Sequence, residues 1–503
     1  MIIQNGKFEP KIAKHKFLTR VTQTGEYYRL AHVKRFIEVF NADEKLRERL
    51  LSGLDISCQL LEYQVKIDPQ DIRPLWDPNA PVSKGAENVL CQQYLEFEAS
   101  LLQQTKTKKT AFCEPYNVWL QRQKSRCEIE LGDHNSMIAH APLAIELSSG
   151  CTVGCWFCGV TAKKFQGNTP VDPQQLSLFR HVSKVCHQLF GNTLSSSCLY
   201  YATEPLDHPF YEDFAAIFYE ETGFQPQVTT AVADIDLSRT EALIMNLSIE
   251  SFPSLRFSVL SIRSLKKIYQ HFSAEKTLFC QLVPQMKGAT LVKANAGKAL
   301  DADRKLHKDN SGKVIYLQSE SGQKRRITAA PTIACISGLK INLFHKTISL
   351  VTSCRASKNC PNGYKTLYET QFNTADDFDV KINHIVGLLK ITNDNSSLVY
   401  RLNPIFHCSP REHGFIVSSP SGKQLSIQNP KIGKLLRRLG ELFSSKTDFT
   451  SLQLHQHSVE LKVTQTQITE VLKYIYQLGI IQEHSLHFSD ITPYCSDQQV
   501  GNT

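Results

Sequence analysis

Three cysteines within eight residues carry the chemistry most evident in this sequence. The stretch GCTVGCWFCG (150–159) spaces Cys151, Cys155 and Cys158 as Cys-x3-Cys-x2-Cys. Three thiolates this close can wrap one metal centre. Gly150, Gly154 and Gly159 give the backbone the freedom such a loop requires. On a [4Fe–4S] cluster, three ligands rather than four leave one iron open to a substrate or cofactor. Zinc sites usually pair two Cys-x2–4-Cys knuckles or add histidines at ligand spacing. No second knuckle lies close by, and His455 with His457 is the only His-x-His pair, a spacing common among surface residues. A chance grouping of buried cysteines is the bland alternative.

The totals set the frame. The chain has 503 residues, enough for two to four domains with real cores. Its fifteen cysteines are odd in number and spread along the chain, unlike a secreted disulfide scaffold. Most of those outside the cluster read as small buried hydrophobes. The start, MIIQNGKFEPKIAKHKF, lacks the apolar stretch of a secretory signal, and no run of about 18 apolar residues predicts a membrane span. A cytoplasmic location is expected, with no membrane partner. The net charge of +9 permits an acidic partner. No long basic run interleaved with aromatics points to nucleic acid.

The elements that must hold the cysteines follow from pattern. Residues 1–140 read as a helical N-terminal region, with two short helices over 30–51 and a box from Asn41 to Glu44 capping the second. From Pro142 strands and helices alternate: PLAIELSS, a helix capped by Asp172 and Pro173 and stopped at Gly191, then SSCLYYATE (196–204) as a second strand. Further strands are expected at QPQVTTAV, 254–260 and 276–285, each preceded by a helix. This order predicts βα units and a parallel sheet, curled by right-handed crossovers into an open or closed barrel. The cysteines follow the first strand, so they sit at the carboxyl end, where such sheets place their sites.

The core is therefore drawn over 141–288. An insert, lid or mobile loop is expected over 289–330, then a hairpin over 338–354 with His345–Lys346 near its turn. These make up a region 289–429 that completes the site. A small C-terminal domain, winged-helix-like or a plain helical bundle, is drawn over 430–503, with Thr464 and Gln467 as a capping box.

The cluster segment, Cys-x3-Cys-x-aromatic-Cys with Phe157 at the aromatic position, resembles the signature of the radical S-adenosylmethionine (SAM) superfamily. The resemblance covers roughly 140–290. It implies an α/β fold with a partial (β/α)6 barrel, a [4Fe–4S] cluster on Cys151, Cys155 and Cys158, and SAM on the open iron. In that family a Gly-Gly-Glu-Pro-like motif contacts the SAM amino group. Here Ala202-Thr203-Glu204-Pro205 stands in that place, with both glycines lost and Glu204 retained. A carboxylate there can accept hydrogen bonds from an ammonium; otherwise Glu204 is an acid at a helix start. Ser258 matches a ribose-contacting position, Thr230 is similar, and Arg263 could reach the SAM carboxylate or be a solvated helix-start arginine.

Shorter words narrow the resemblance. ELSSGCTVGCWFCGV, IRPLWDP (72–78) and CRASKNCPNGY (354–364) are similar to segments of proteusin-type peptide epimerases, which convert L- to D-residues in ribosomally made peptides. That implies a precursor peptide, leader and core, as partner, and a reductant such as flavodoxin or ferredoxin. Inversion needs a hydrogen donor on the face opposite abstraction, and a cysteine thiol outside the cluster suits it. Cys354 is the first choice and Cys360 the second, with Cys335 and Cys408 as outsiders; a buried inert cysteine is the alternative for each. Cys354, Cys360 and Cys408 could instead ligate an auxiliary cluster in an enzyme making thioether or carbon crosslinks. A non-catalytic iron–sulfur protein, for electron transfer or DNA-bound regulation, is the reading from another class.

Overall fold

The computed structural model describes residues 26–80, 86–106, 110–246, 255–291, 293–302, 316–318, 324–326, 330–390 and 399–482. At its centre is β1 (Ala141–Glu146), buried at all six positions. A strand buried on both faces reads as unbroken apolar sequence, as PLAI does. Next to β1, Cys198 bridges in parallel to Ala144 on one side and Gln227 on the other. The run continues in parallel through β2 (Val228–Thr230), β3 (Leu255–Val259) and β4 (Gln281–Pro284). On its other edge β1 pairs in parallel with β5 (Ile336–Asn342). β5 turns back into β6 (Thr347–Ser353), and β6 pairs antiparallel with β7 (Tyr364–Gln371). Among the described residues the strands form an open series of small sheets, not a closed barrel.

Local signals hold where the contacts are local. Asp172 accepts from the Gln175 amide (2.8 Å) to cap the helix Pro173–Phe190, which ends at Gly191 with φ +48°. The Tyr211–Thr222 helix stops at Gly223 with φ +77°. The hairpin turns where expected, Lys346 taking φ +50°. Two expectations fail. The second N-terminal helix, Glu44–Leu51, is capped by Asp43, whose carboxylate accepts from the Leu46 amide, and not by an Asn41–Glu44 box. The strand expected over 196–204 shrinks to the bridge at Cys198, because side chains take the backbone groups a ladder would use. Glu146 accepts from the Ala202 amide (2.8 Å), and Glu204 turns inward. Of the expected 289–330 insert, residues 292, 303–315, 319–323 and 327–329 lie outside the described residues.

One apolar core runs from Leu30 to Leu389 and joins the N-terminal helices to the sheet. Arg35 in the helix Glu26–Ala42 is buried, yet donates to the Phe272 carbonyl (2.6 Å) and lies over the Tyr269 ring at 4.3 Å. Glu38 accepts from the Leu282 amide (3.2 Å), so this helix covers the β4 edge. A second core begins earlier than the expected boundary at 430, drawing in Tyr400, Phe415 and Ile427 with Leu439, Phe443 and Ile475. It comprises an antiparallel sheet of β9 (His407–Arg411), β10 (Gly414–Ser418) and β11 (Gln424–Gln428), with the Gly433–Ser444 helix packed on it. β8 (Val399–Tyr400) pairs with β12 (Phe449–Thr450) beside it. The Thr464–Gln467 capping box is present. Among the described residues no helix is long and apolar enough to cross a membrane.

Candidate active site

The cysteine loop leaves the carboxyl end of β1 and is fastened at its base. Gly150 has φ +76°, and a Cβ there would lie 2.2 Å from the Lys164 carbonyl oxygen, so only glycine lets the two strands of the loop meet. The Cys151 amide donates to the Lys163 carbonyl (2.9 Å). The Cys158 thiol accepts from the Ala162 amide (3.2 Å). All three thiols are half-buried. Burial raises Cys151 and Cys155 above the ordinary thiol range, and the Glu204 carboxylate adds to both shifts. Among the described residues, no three His, Cys, Asp or Glu side chains are grouped as a single metal ion would require. A four-iron cluster makes a different demand, since each thiolate binds its own iron and the sulfurs stand apart. The soft, half-buried donors and glycine-hinged backbone fit that group.

The Ala202–Asp207 turn comes up beside this loop. Asp207 accepts from the Thr152 amide (2.9 Å) and hydroxyl (2.6 Å), tying the turn to the residue after Cys151. Glu204 is buried and accepts from the Ala231 amide (2.9 Å), the Leu206 amide (3.2 Å) and the Thr230 hydroxyl. Burial raises its carboxyl from 4.5 to about 7, against the pull of those hydrogen bonds. Glu204 and Thr230, both singled out from sequence, are thus brought together. Ser258 is half-buried on β3, across from Val283 of β4. Arg263 is exposed in the first turn of the Ile262–His271 helix, which favours the solvated-arginine alternative.

Lys293 places a buried cation against Phe157 of the cysteine loop. Its ammonium lies 4.7 Å over the Phe157 ring and donates to the Gln285 side chain (2.5 Å). Burial lowers its pKa to about 8, with Cys155 pulling the other way. No carboxylate partners it among the described residues, and a buried ammonium without a counterion is costly. A bound anion at this place would satisfy it. Glu146, Asp207 and Lys293 escaped the sequence reading. A lysine in a polar insert has no local signal, although Glu146 as an acid inside an apolar strand could have been noticed.

The second cysteine loop follows β6 directly. The Cys354 amide donates to the Gly363 carbonyl (2.9 Å), and the Gly363 amide to the Cys360 carbonyl (3.0 Å). This sets the Cys354 and Cys360 thiols near enough to shift each other's titration. Cys354, first choice as donor, is fully buried, whereas Cys360 is half-buried. The neighbouring Cys360 and burial push Cys354 up, while Cys354 and the nearby Lys365 and Arg126 bring Cys360 down against burial and Glu130. Cys335 is half-buried near the Met137 carbonyl, and Cys408 points to the Gly440 carbonyl (3.5 Å) within the second core. His457 contacts Glu460 (3.1 Å) on the surface.

Two segments join the cysteine loops. The Gly297 amide donates to the Pro361 carbonyl (2.7 Å), and the adjacent Lys298 amide to the Cys158 carbonyl (2.9 Å). Gly297 has φ +55°, and a Cβ there would be 2.3 Å from the Cys158 oxygen. On the other side Thr332 donates to the Gly363 carbonyl (2.9 Å), while Ile333 packs where a Gly159 Cβ would be, at 2.8 Å.

The chain is 29% identical over 464 residues to "Uncharacterized protein y4wI" of Sinorhizobium fredii (strain NBRC 101917 / NGR234), covering 90% of this chain and 87% of that protein. No protein-family profile matches the chain. No solved structure matches it.

Proposed function

We propose that this chain is a radical SAM peptide epimerase that inverts L-residues of a ribosomally made precursor peptide in the cytoplasm. The observation that carries the reading is the docking of the Cys354–Cys360 loop against the Cys151–Cys158 loop through Gly297 and Thr332–Ile333. Epimerisation asks for these two functions side by side, a radical source and a hydrogen donor. The open parallel run is read as the partial (β/α)6 barrel.

Cys151, Cys155 and Cys158 would hold a [4Fe–4S] cluster, and Glu204, Thr230, Ser258 and Phe157 would surround SAM. Together the bound groups would supply a carbon radical able to remove a Cα hydrogen. The remaining work falls to the chain. Glu204, once ionised, would pair with the ammonium of SAM, and Lys293 would take its carboxylate. Cys360 is the sulfur a substrate can approach, and in its protonated form its S–H hydrogen passes to the Cα radical from the opposite face. Cys354, behind it, keeps its proton and can restock Cys360 by hydrogen transfer. One electron, from a reductant such as flavodoxin or ferredoxin, and one proton then restore the thiol pair. The three-stranded sheet of the C-terminal unit offers an edge strand to the leader of the precursor.

The reduced enzyme, SAM and a candidate peptide in deuterated water test this. One deuterium for each D-residue supports it; a mass loss of two without deuterium would indicate crosslinking instead. The auxiliary-cluster alternative needs Cys408 beside Cys354 and Cys360, whereas Cys408 packs in the second core. Iron content separates the two: about four per chain for one cluster, about eight for two. Failure of the reduced protein to cleave SAM would favour the non-catalytic iron–sulfur class.

A further inference from the structure

Among the described cysteines outside the cluster loop, Cys354 and Cys360 stand apart because Gly363 is hydrogen-bonded through its backbone to both, in one tight loop where each thiol shifts the other's titration. The loop between them is closed by backbone hydrogen bonds, reciprocal between Ser357 and Cys360 (3.2 Å each) and from Cys354 to Gly363 (2.9 Å). A loop folded back on itself in this way lets two sulfurs bond with little backbone movement. One sulfur is half-buried and the other fully buried behind it, an arrangement with an entry sulfur and a resolving sulfur. Arg126 and Lys365 lie near enough to Cys360 to favour its thiolate, the attacking form. Glu130 also faces the pair, but it is ion-paired to Arg126 and accepts from the Arg355 amide (2.8 Å).

We infer that Cys354 and Cys360 form a redox-active dithiol that closes reversibly to an intramolecular disulfide when it meets a small-molecule disulfide. The Cys360 thiolate attacks one sulfur of the oxidant, forming a mixed disulfide and releasing one thiolate. Cys354 gives its proton to solvent and attacks the Cys360 sulfur, and the second thiolate leaves. Two protein thiols are oxidised, one external disulfide is reduced to two thiols, and two electrons have moved. On the epimerase reading, closure also removes the hydrogen that the site must donate, so the enzyme is off until a thiol reductant reopens it. That consequence rests on the proposed function; the disulfide does not.

Trypsin gives a direct readout, because Arg355 and Lys358 lie between the two cysteines. The full-length protein is incubated without oxygen in graded reduced and oxidised glutathione, quenched in acid, alkylated and digested. The expected product is residues 347–355 joined to residues 359–365 by a bond that dithiothreitol cleaves. It should exceed the Cys360–glutathione adduct by about tenfold or more, since the second attack is intramolecular. Cys354→Ser should trap the adduct on Cys360, and Cys360→Ser should leave Cys354 unmodified, with melting temperatures confirming that both variants fold. A stable adduct on Cys360 in the unmutated protein, or equal reactivity of Cys354 after Cys360→Ser, overturns the inference. If the joined peptide forms but no deuterium enters the substrate, the dithiol stands and the epimerase reading falls. If deuterium enters but the joined peptide never forms, the reverse holds.

Discussion

The loop at 150–164 carries three half-buried thiols fastened through backbone contacts, and the loop at 354–363 carries two that shift each other's titration. In the first, glycines and main-chain hydrogen bonds fix the ends and leave the sulfurs for a ligand, with Trp156 half exposed between them. In the second, each sulfur shifts the other, and lysine and arginine charges help to lower Cys360. Cysteine count alone would make both loops metal sites. What distinguishes them is whether the thiols' partners are backbone amides or a second thiol.

The sharpest break between the loops is chemical. Serine in place of Cys151, Cys155 or Cys158 should abolish iron–sulfur absorbance and SAM cleavage, whereas Cys360→Ser should keep both and lose only inversion. Iron analysis with a SAM cleavage assay reads this out, and iron loss in Cys360→Ser would collapse the distinction. Cys354→Ala should slow inversion less than Cys360→Ala does; the opposite order would return Cys354 to first place as donor.

Glu204 sharpens the picture of the first loop as a receptor. Its carboxyl is raised to about 7 by burial, so it is mostly protonated below that pH and cannot pair with an ammonium. SAM affinity should weaken by up to about tenfold per unit as pH falls below 7, and Glu204→Gln should flatten the profile. Stability runs the other way. A carboxyl with a raised folded-state pKa contributes stability at low pH, and that contribution fades from about 4.5 upward and is gone above about 7. Without SAM, melting temperature should therefore fall more steeply with pH in the parent than in Glu204→Gln.

Lys293→Met should weaken SAM binding by about tenfold, as for the loss of one charge-assisted hydrogen bond, with Lys293→Arg intermediate. Equilibrium dialysis measures it, and unchanged affinity would leave the buried ammonium to balance the cluster's charge alone. The smallest effect is expected where the loops touch. Gly297→Ala forces a side chain onto the Cys158 carbonyl at a left-handed φ, at a cost of about 2 kcal/mol by denaturant melts. Its inversion rate should fall further than its SAM cleavage if that contact sets the distance between radical and donor.

Much of the site's local grammar was legible in sequence: the Cys-x3-Cys-x2-Cys spacing, the Asp172-Pro173 start, the stop at Gly191 and the Thr464–Gln467 box. Each depends on residues within a turn or a short loop, where chain connectivity itself enforces proximity. Only the folded chain decided that Glu146 would undo the strand at 196–204, that the C-terminal core would start at Tyr400, and that Lys293 would lie over Phe157. It also decided that Cys354 would be buried behind Cys360 and not beside it in solvent. Those outcomes depend on burial and charge between residues far apart in the chain, and a carboxylate, an ammonium or a thiol has no fixed character until the fold sets what surrounds it.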